Sequence, residues 1–136
     1  MSNPRTVAVI VGSLRKDSVS RKVARAFEKL TPNLKFTELE IGNLQHFNQD
    51  LEATPTAEWV KFREQVKAAD AVLFVTPEYN RSVPGVLKNA IDVGSRPYGQ
   101  SVFDRKPGGV ISNSPGAIGG FGANHHLRQS LTFLNI

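Results

Sequence analysis

Three segments hold most of the residues able to do chemistry. Gly12-Ser13-Leu14-Arg15-Lys16-Asp17-Ser18-Val19-Ser20 gathers three hydroxyls and an arginine just ahead of a stretch of helical period. A helix N-terminus already offers unpaired backbone N–H groups and the positive end of its dipole, so such residues suit an anion, and a monophosphate is the natural guest. With one glycine, the segment is neither the three-glycine dinucleotide fingerprint nor a loop ending in Gly-Lys-Ser/Thr. Helix capping beside a solvated Arg15 is the plain structural alternative. Pro77-Glu78-Tyr79-Asn80-Arg81-Ser82-Val83-Pro84-Gly85 brings together an aromatic face, an amide and backbone N–H groups. A planar heterocycle with acceptors on its rim suits that set, although alone it could be a rigid turn. The third segment is the glycine-rich Ser114-Pro115-Gly116-Ala117-Ile118-Gly119-Gly120.

The elements that must position these segments alternate in type. Thr6 to Val11 is continuously apolar and β-branched, as expected of a strand buried on both faces. Val19, Val23, Phe27 and Leu30 then recur at helical spacing after a capping Ser18. Leu34 to Ile41 alternates imperfectly and suits a strand near a sheet edge, and 42–55 reads as loop. Thr56 precedes a second helix with Trp59, Phe62, Val66 and Ala69 on one stripe. Ala71 to Val75 is a second buried strand. Ser82 and Pro84 start a helix carrying Leu87, Ala90, Ile91 and Gly94 on one face, Gly109 to Ser112 is a fourth strand, and Ala123, Leu127, Leu131 and Leu134 form a last helical stripe. Repeated strand–helix units predict a parallel sheet with right-handed crossovers and helices on both faces. The loops after strands one, three and four then leave from one edge, where such sheets bind ligands. Those loops are the three segments above.

Composition bounds the rest. A chain of 136 residues with 40% hydrophobic and 21% charged residues is a single domain, 1–136, with a core of its own. Cysteine is absent, which removes disulfides, thiolate metal sites and a cysteine nucleophile, and agrees with a reducing compartment. Met-Ser-Asn-Pro-Arg-Thr followed by Val7–Val11 is not a signal peptide, and no stretch approaches a membrane span, so the expectation is a cytoplasmic protein. The formal charge of +5 comes from dispersed Lys and Arg without a basic run or interleaved aromatics. That argues against a nucleic-acid partner and leaves attraction of phosphates, dinucleotides or oxyanions. His125 and His126 are adjacent on a helix, so their side chains diverge by about 100° and do not readily share a metal. Ser114 lies outside a Gly-x-Ser-x-Gly elbow, which argues against a hydrolase.

Gly12-Ser-Leu-Arg with Ser18, Pro77-Glu-Tyr-Asn-x-Ser-x-Pro-Gly running into Leu87-Lys-Asn-Ala-Ile-Asp, and Ser114-Pro-Gly-x-x-Gly-Gly together resemble the NADPH-dependent FMN reductase family. The match is nearest to its bacterial chromate and quinone reductases and covers the whole chain. The resemblance implies a flavodoxin-like α/β fold, noncovalent FMN, and NADPH or NADH as electron donor. Carried over by motif, Ser13, Arg15, Ser18 and Ser20 hold the phosphate, with Leu14 a further cofactor-binding residue and Ser20 standing where the family pattern has Asn. Pro77, Glu78, Tyr79 and Asn80 line the isoalloxazine, and Ser114, Gly116 and Gly119 lie beside the ring. The flavin performs the hydride chemistry, so no catalytic side chain and no metal is expected. Quinones, with chromate as a further acceptor, are the implied oxidants, and ping-pong turnover follows from one shared site. A noncatalytic flavin-binding carrier or sensor is the alternative, which the basic charge disfavours.

The resemblance also implies a fifth strand and a closing helix, whereas Phe133-Leu134-Asn135-Ile136 reaches only about where that strand would begin. The expectation is a C-terminally short form of a longer protein that aggregates alone or covers its open sheet edge in a homodimer or homotetramer, with helix 121–134 in the covering surface. A fragment unable to bind flavin is a further possibility.

Overall fold

Two strands that are apolar along both faces need cover on both sides, and the chain provides it. The computed structural model describes residues 4–136; Met1 to Asn3, on which the signal-peptide reading begins, lie outside the described residues. Its elements are β1 (Arg5–Val11), α1 (Val19–Leu30), β2 (Leu34–Glu38), α2 (Ala57–Ala68), β3 (Ala71–Pro77), α3 (Gly85–Gly94), β4 (Gly108–Asn113) and α4 (Phe121–Phe133). All strand pairs are parallel, in the order β2-β1-β3-β4. Ala8, Ile10, Val72 and Phe74 face one layer, built from Trp59, Phe62 and Val66 of α2, Leu87, Ala90 and Ile91 of α3, and Leu127 and Leu131 of α4. Val7, Val9, Val11, Leu73 and Val75 face the other, where α1 contributes Ala24. Helices therefore lie on both faces, three against one.

The second and third helical stripes bury as their spacing predicts, but the first does not. In α1 the buried residues are Ser20 and Ala24, while Val19, Phe27 and Leu30 are exposed. Small side chains let α1 approach the sheet closely, and the bulky stripe is rotated toward its flank, where Phe27 meets Phe36 of β2 edge-on with centroids 6.1 Å apart. The expected strand 34–41 ends at Glu38; Leu39 adds one more bond, N–H to the Val9 carbonyl at 2.8 Å, and Leu39 and Ile41 then turn into the core. The 42–55 loop contains one 3-10 turn, Gln49–Leu51. It is pinned by buried Asn89, which accepts from Phe47 N–H at 2.8 Å and donates to the Leu44 carbonyl, and by Trp59 Nε1–H to the Gln45 carbonyl at 2.9 Å.

At the end of the sheet away from the candidate loops, Asp70 ties the start of β3 to the start of β1. It accepts from Thr6 N–H at 2.8 Å, Thr6 Oγ1 at 2.9 Å and Arg5 Nη1 at 2.9 Å. These donors, the Thr6 backbone N–H foremost, hold the Asp70 carboxyl down to about 2 from the ordinary 3.8. A carboxylate whose folded pKa is depressed stabilises fully above its unfolded value, and the contribution fades as pH falls toward the folded one. The melting temperature of Asp70→Asn is therefore expected to change less than that of the wild type between pH 4 and pH 2. Parallel acid limbs for the two proteins would show that Asp70 carries none of that dependence.

Candidate functional site

Glycine at position 12 lets the first loop leave the sheet against α3. Its N–H donates to the Val75 carbonyl at 2.8 Å, and a Cβ there would stand 3.1 Å from Leu87 Cδ2 and 3.2 Å from Thr76 Oγ1. The loops after β1 and β3 consequently emerge side by side, and cross-links join the two ends of the loop after β4, the last residue of β4 and the first turn of α4, to the segments beside it. Ser20 Oγ donates to Asn113 Oδ1 at 2.6 Å, and Glu78 Oε2 accepts from Ala123 N–H at 3.1 Å. The structure thus gathers all three sequence segments on the carboxyl edge of the sheet.

In the first loop Ser13, Ser18 and Ser20 are buried, whereas Leu14 and Arg15 are exposed. Ser18 is the N-cap of α1 and accepts from Arg21 N–H at 3.2 Å. Ser13 Oγ accepts from Arg15 N–H at a long 3.4 Å. As acceptors, both hydroxyls keep their protons for a ligand. Ser20 differs, because its proton goes to Asn113. Beside them the first-turn N–H groups of α1 have no intrahelical partner by construction. Arg21 braces the loop from behind: Nη2 donates to the Ser13 carbonyl at 3.1 Å, Nη1 to the Arg15 carbonyl at 3.0 Å, and Nε to Glu38 Oε1 at 2.6 Å.

In the second loop Tyr79 and Ser82 exchange two backbone hydrogen bonds of 3.0 Å, closing a tight turn. Asn80 and Arg81 at its tip both adopt positive φ, 51° and 60°. Tyr79 is half-exposed, and Pro77 and Glu78 are partly buried. Glu78 has a structural task. The N-cap of α4 is Gly120 at φ 80°, which offers no side chain, so the Glu78 carboxylate caps the helix instead and also accepts from Arg81 Nη1 at 3.2 Å. Gly122 permits this approach, since a Cβ there would collide with the Arg81 carbonyl oxygen. His126 Nδ1 lies 2.9 Å from Ser82 Oγ and fastens the turn to α4 a second time. His125 packs on Phe121, ring centroids 4.3 Å apart, so the adjacent histidines serve different neighbours. In the third loop Ser114 is half-buried, Gly116 is exposed, and a Cβ on Gly119 would meet nothing within 4 Å.

The sequence reading missed Asn113, the Arg21–Glu38 brace and the capping role of Glu78. None of the three had a local signal in the sequence, and glycine at the start of α4 is itself an ordinary N-cap residue. Among the described residues no group of three His, Cys, Asp or Glu stands together as a metal site. A cleft of about 680 Å³ lies elsewhere, between α2 and residues 96–106, with Arg63, Lys67 and Arg96 beside Glu52, Glu64 and Asp104. None of the candidate residues lines it. Its Arg63 is a packing group, with Nε on the Val93 carbonyl at 2.9 Å and the guanidinium 5.5 Å from the Trp59 ring centre.

Removing the external cap should cost stability in a defined place. Glu78→Ala is expected to lower unfolding free energy by about 1–2 kcal/mol, the scale of a lost cap combined with a helix-dipole contact. Urea melts measure the loss, and amide exchange should quicken at 121–124. Unchanged exchange there would place the effect of Glu78 outside α4.

Comparison with known proteins bears on the same residues. The family model described as NADPH-dependent FMN reductase matches residues 5–136. A quinone reductase of Pseudomonas putida is 62% identical over 138 residues, which is 100% of this chain and 74% of the relative. A solved flavoenzyme, an NAD(P)H:(acceptor) oxidoreductase of Paracoccus denitrificans, superposes with a TM-score of 0.92 at 46% identity, covering 96% of this chain and 72% of the other. A flavodoxin of Pseudomonas aeruginosa superposes with a TM-score of 0.61 at 22% identity over 96% of this chain and 77% of its own, and so shares the fold alone. The flavodoxin-like architecture expected from the motifs is the one observed.

Proposed function

Since the chain belongs to the NADPH-dependent FMN reductase family, we propose that it is an FMN-dependent NAD(P)H oxidoreductase acting on quinones, with chromate as a further acceptor. The observation that carries this reading is the joining of three loops into one surface, an anion site at the head of α1 and a half-exposed aromatic turn beside open glycines. The donor set fits FMN. Ser13, Arg15, Ser18 and the first turn of α1 would hold the phosphate, with Leu14 and Ser20 alongside. Pro77, Glu78, Tyr79 and Asn80 would flank the ring, and Ser114, Gly116 and Gly119 would leave room for a nicotinamide. When bound, FMN supplies the acceptance and onward delivery of a hydride.

The chain's own residues bind, orient and exclude water. The buried serines dry the phosphate end of the site, Arg15 neutralises charge, and the turn 79–82 is held rigid by α4. No side chain need move a proton. The net charge of +5 favours arrival of anionic dinucleotides and oxyanions. We read the protein as cytoplasmic and homo-oligomeric, dimer or tetramer. No helix among the described residues is long and apolar enough to cross a membrane, and exposed Phe121 and Phe133 on α4 suit a subunit contact.

The purified protein is expected to show a flavin spectrum that bleaches with NADPH under anaerobic conditions and recovers with a quinone. A bound flavin that stays oxidised would favour a carrier or sensor. One surface used in turn by donor and acceptor requires parallel double-reciprocal lines, and intersecting lines across several quinones would reject the shared site. Charge-assisted hydrogen bonds are worth roughly 1.5–3 kcal/mol, so Arg15→Ala should weaken FMN about tenfold or more by titration and leave riboflavin nearly unaffected. Equal losses for both flavins would reject the phosphate assignment.

A further inference from the structure

We infer that Arg21 is the positioning residue of the phosphate loop, setting how tightly the loop holds FMN without touching the flavin. The inference rests on the proposed reading of residues 12–20. Three nitrogens of one guanidinium are engaged at once, on the Ser13 carbonyl, the Arg15 carbonyl and the Glu38 carboxylate, at 3.1, 3.0 and 2.6 Å. A guanidinium can only donate, in a fixed planar fork, so these contacts have one sense and little freedom. Glu38 is the last residue of β2, and the fork therefore fastens the loop to the end of a strand. The Arg21 backbone N–H is bound to the Ser18 hydroxyl, so the same residue grips both ends of the loop.

The consequence follows from the planarity of the peptide. In a trans peptide the carbonyl and the following N–H point in opposite directions. Drawing the carbonyls of Ser13 and Arg15 toward Arg21 turns the N–H groups of Leu14 and Lys16 away from it, to the side on which an anion would meet the loop. Arg21 spends its donors on the protein, and the loop spends its own on the ligand. Arg15, exposed at the tip, carries the direct charge contact. A lysine at position 21 keeps the charge but offers a single point of attachment, and so does not reproduce the fork.

The test uses the full chain with FMN and riboflavin as probes. Arg21→Gln is expected to weaken FMN about tenfold, the scale of one charged hydrogen-bonded contact, with riboflavin unchanged, and Arg21→Lys is expected not to restore it. The fall of FMN affinity with added salt should keep its wild-type slope in Arg21→Gln but flatten in Arg15→Ala, because only Arg15 meets the phosphate charge. In the FMN-loaded protein, amides 14 and 16 should exchange faster in Arg21→Gln than in the wild type, while α2 and α3 keep their protection. Wild-type affinity for FMN in Arg21→Gln overturns the inference, as does a flattened salt slope there, which would mean direct contact. Equal losses of FMN and riboflavin would reduce Arg21 to a general structural role and overturn it too. A wild-type protein that binds neither flavin fails at the earlier step, the reading of the loop itself.

Discussion

The carboxyl edge depends on β1 and β3 lying parallel and in register, Val7 opposite Ala71 through Val11 opposite Val75. Strands paired that way end together, and their loops must start together. Both strands are apolar on both faces, so a slip of one residue would not expose polar groups, but it would shift Gly12 away from Leu87 and Thr76, where its missing Cβ is needed. Packing against α3 therefore helps to fix where the first loop begins. The same pairing puts β4 beside β3 and delivers Asn113 within reach of Ser20.

Most of the fold was legible because it is written in side chains that bury. Continuous apolar runs marked β1 and β3, and the stripe of Trp59, Phe62 and Val66 marked α2 together with the face it buries. Where burial runs through small residues the signal inverts. Ser20 and Ala24 face the sheet in α1, while the larger apolar residues that define its periodicity lie outside or at the margin. A hydrophobic stripe reports where apolar side chains are, and close helix–sheet contact needs them elsewhere.

The candidate site was legible in the segments whose residue types suit a ligand and opaque in its supports. Ser13, Arg15, Ser18 and Tyr79 belong to segments whose residue types suggest a partner. Arg21 spends its side chain on two carbonyls and a carboxylate, and carbonyls have no letter in the sequence. Ser20 and Asn113 are 93 positions apart, and nothing local couples them. Glu78 reads as a site residue and is also the cap of a helix that starts more than 40 positions later. Support of this kind becomes visible only once the chain has closed on itself.

The turn at Asn80 and Arg81 has a consequence for what the protein can optimise. Two successive non-glycine residues at positive φ carry a steric cost of roughly 1–2 kcal/mol for each residue that resists the left-handed region, less for Asn than for Arg. Glycine at either position would relax the backbone, yet it would also widen the unfolded ensemble and surrender a side chain at the edge of the site. At Arg81 the side chain forgone would be the one that pairs with Glu78. Backbone strain and side-chain contact thus compete within a single dipeptide. Glycine at both positions would relieve the first and forfeit the second, leaving the tip of the loop a plain hinge without the Asn80 amide or the Arg81–Glu78 pair.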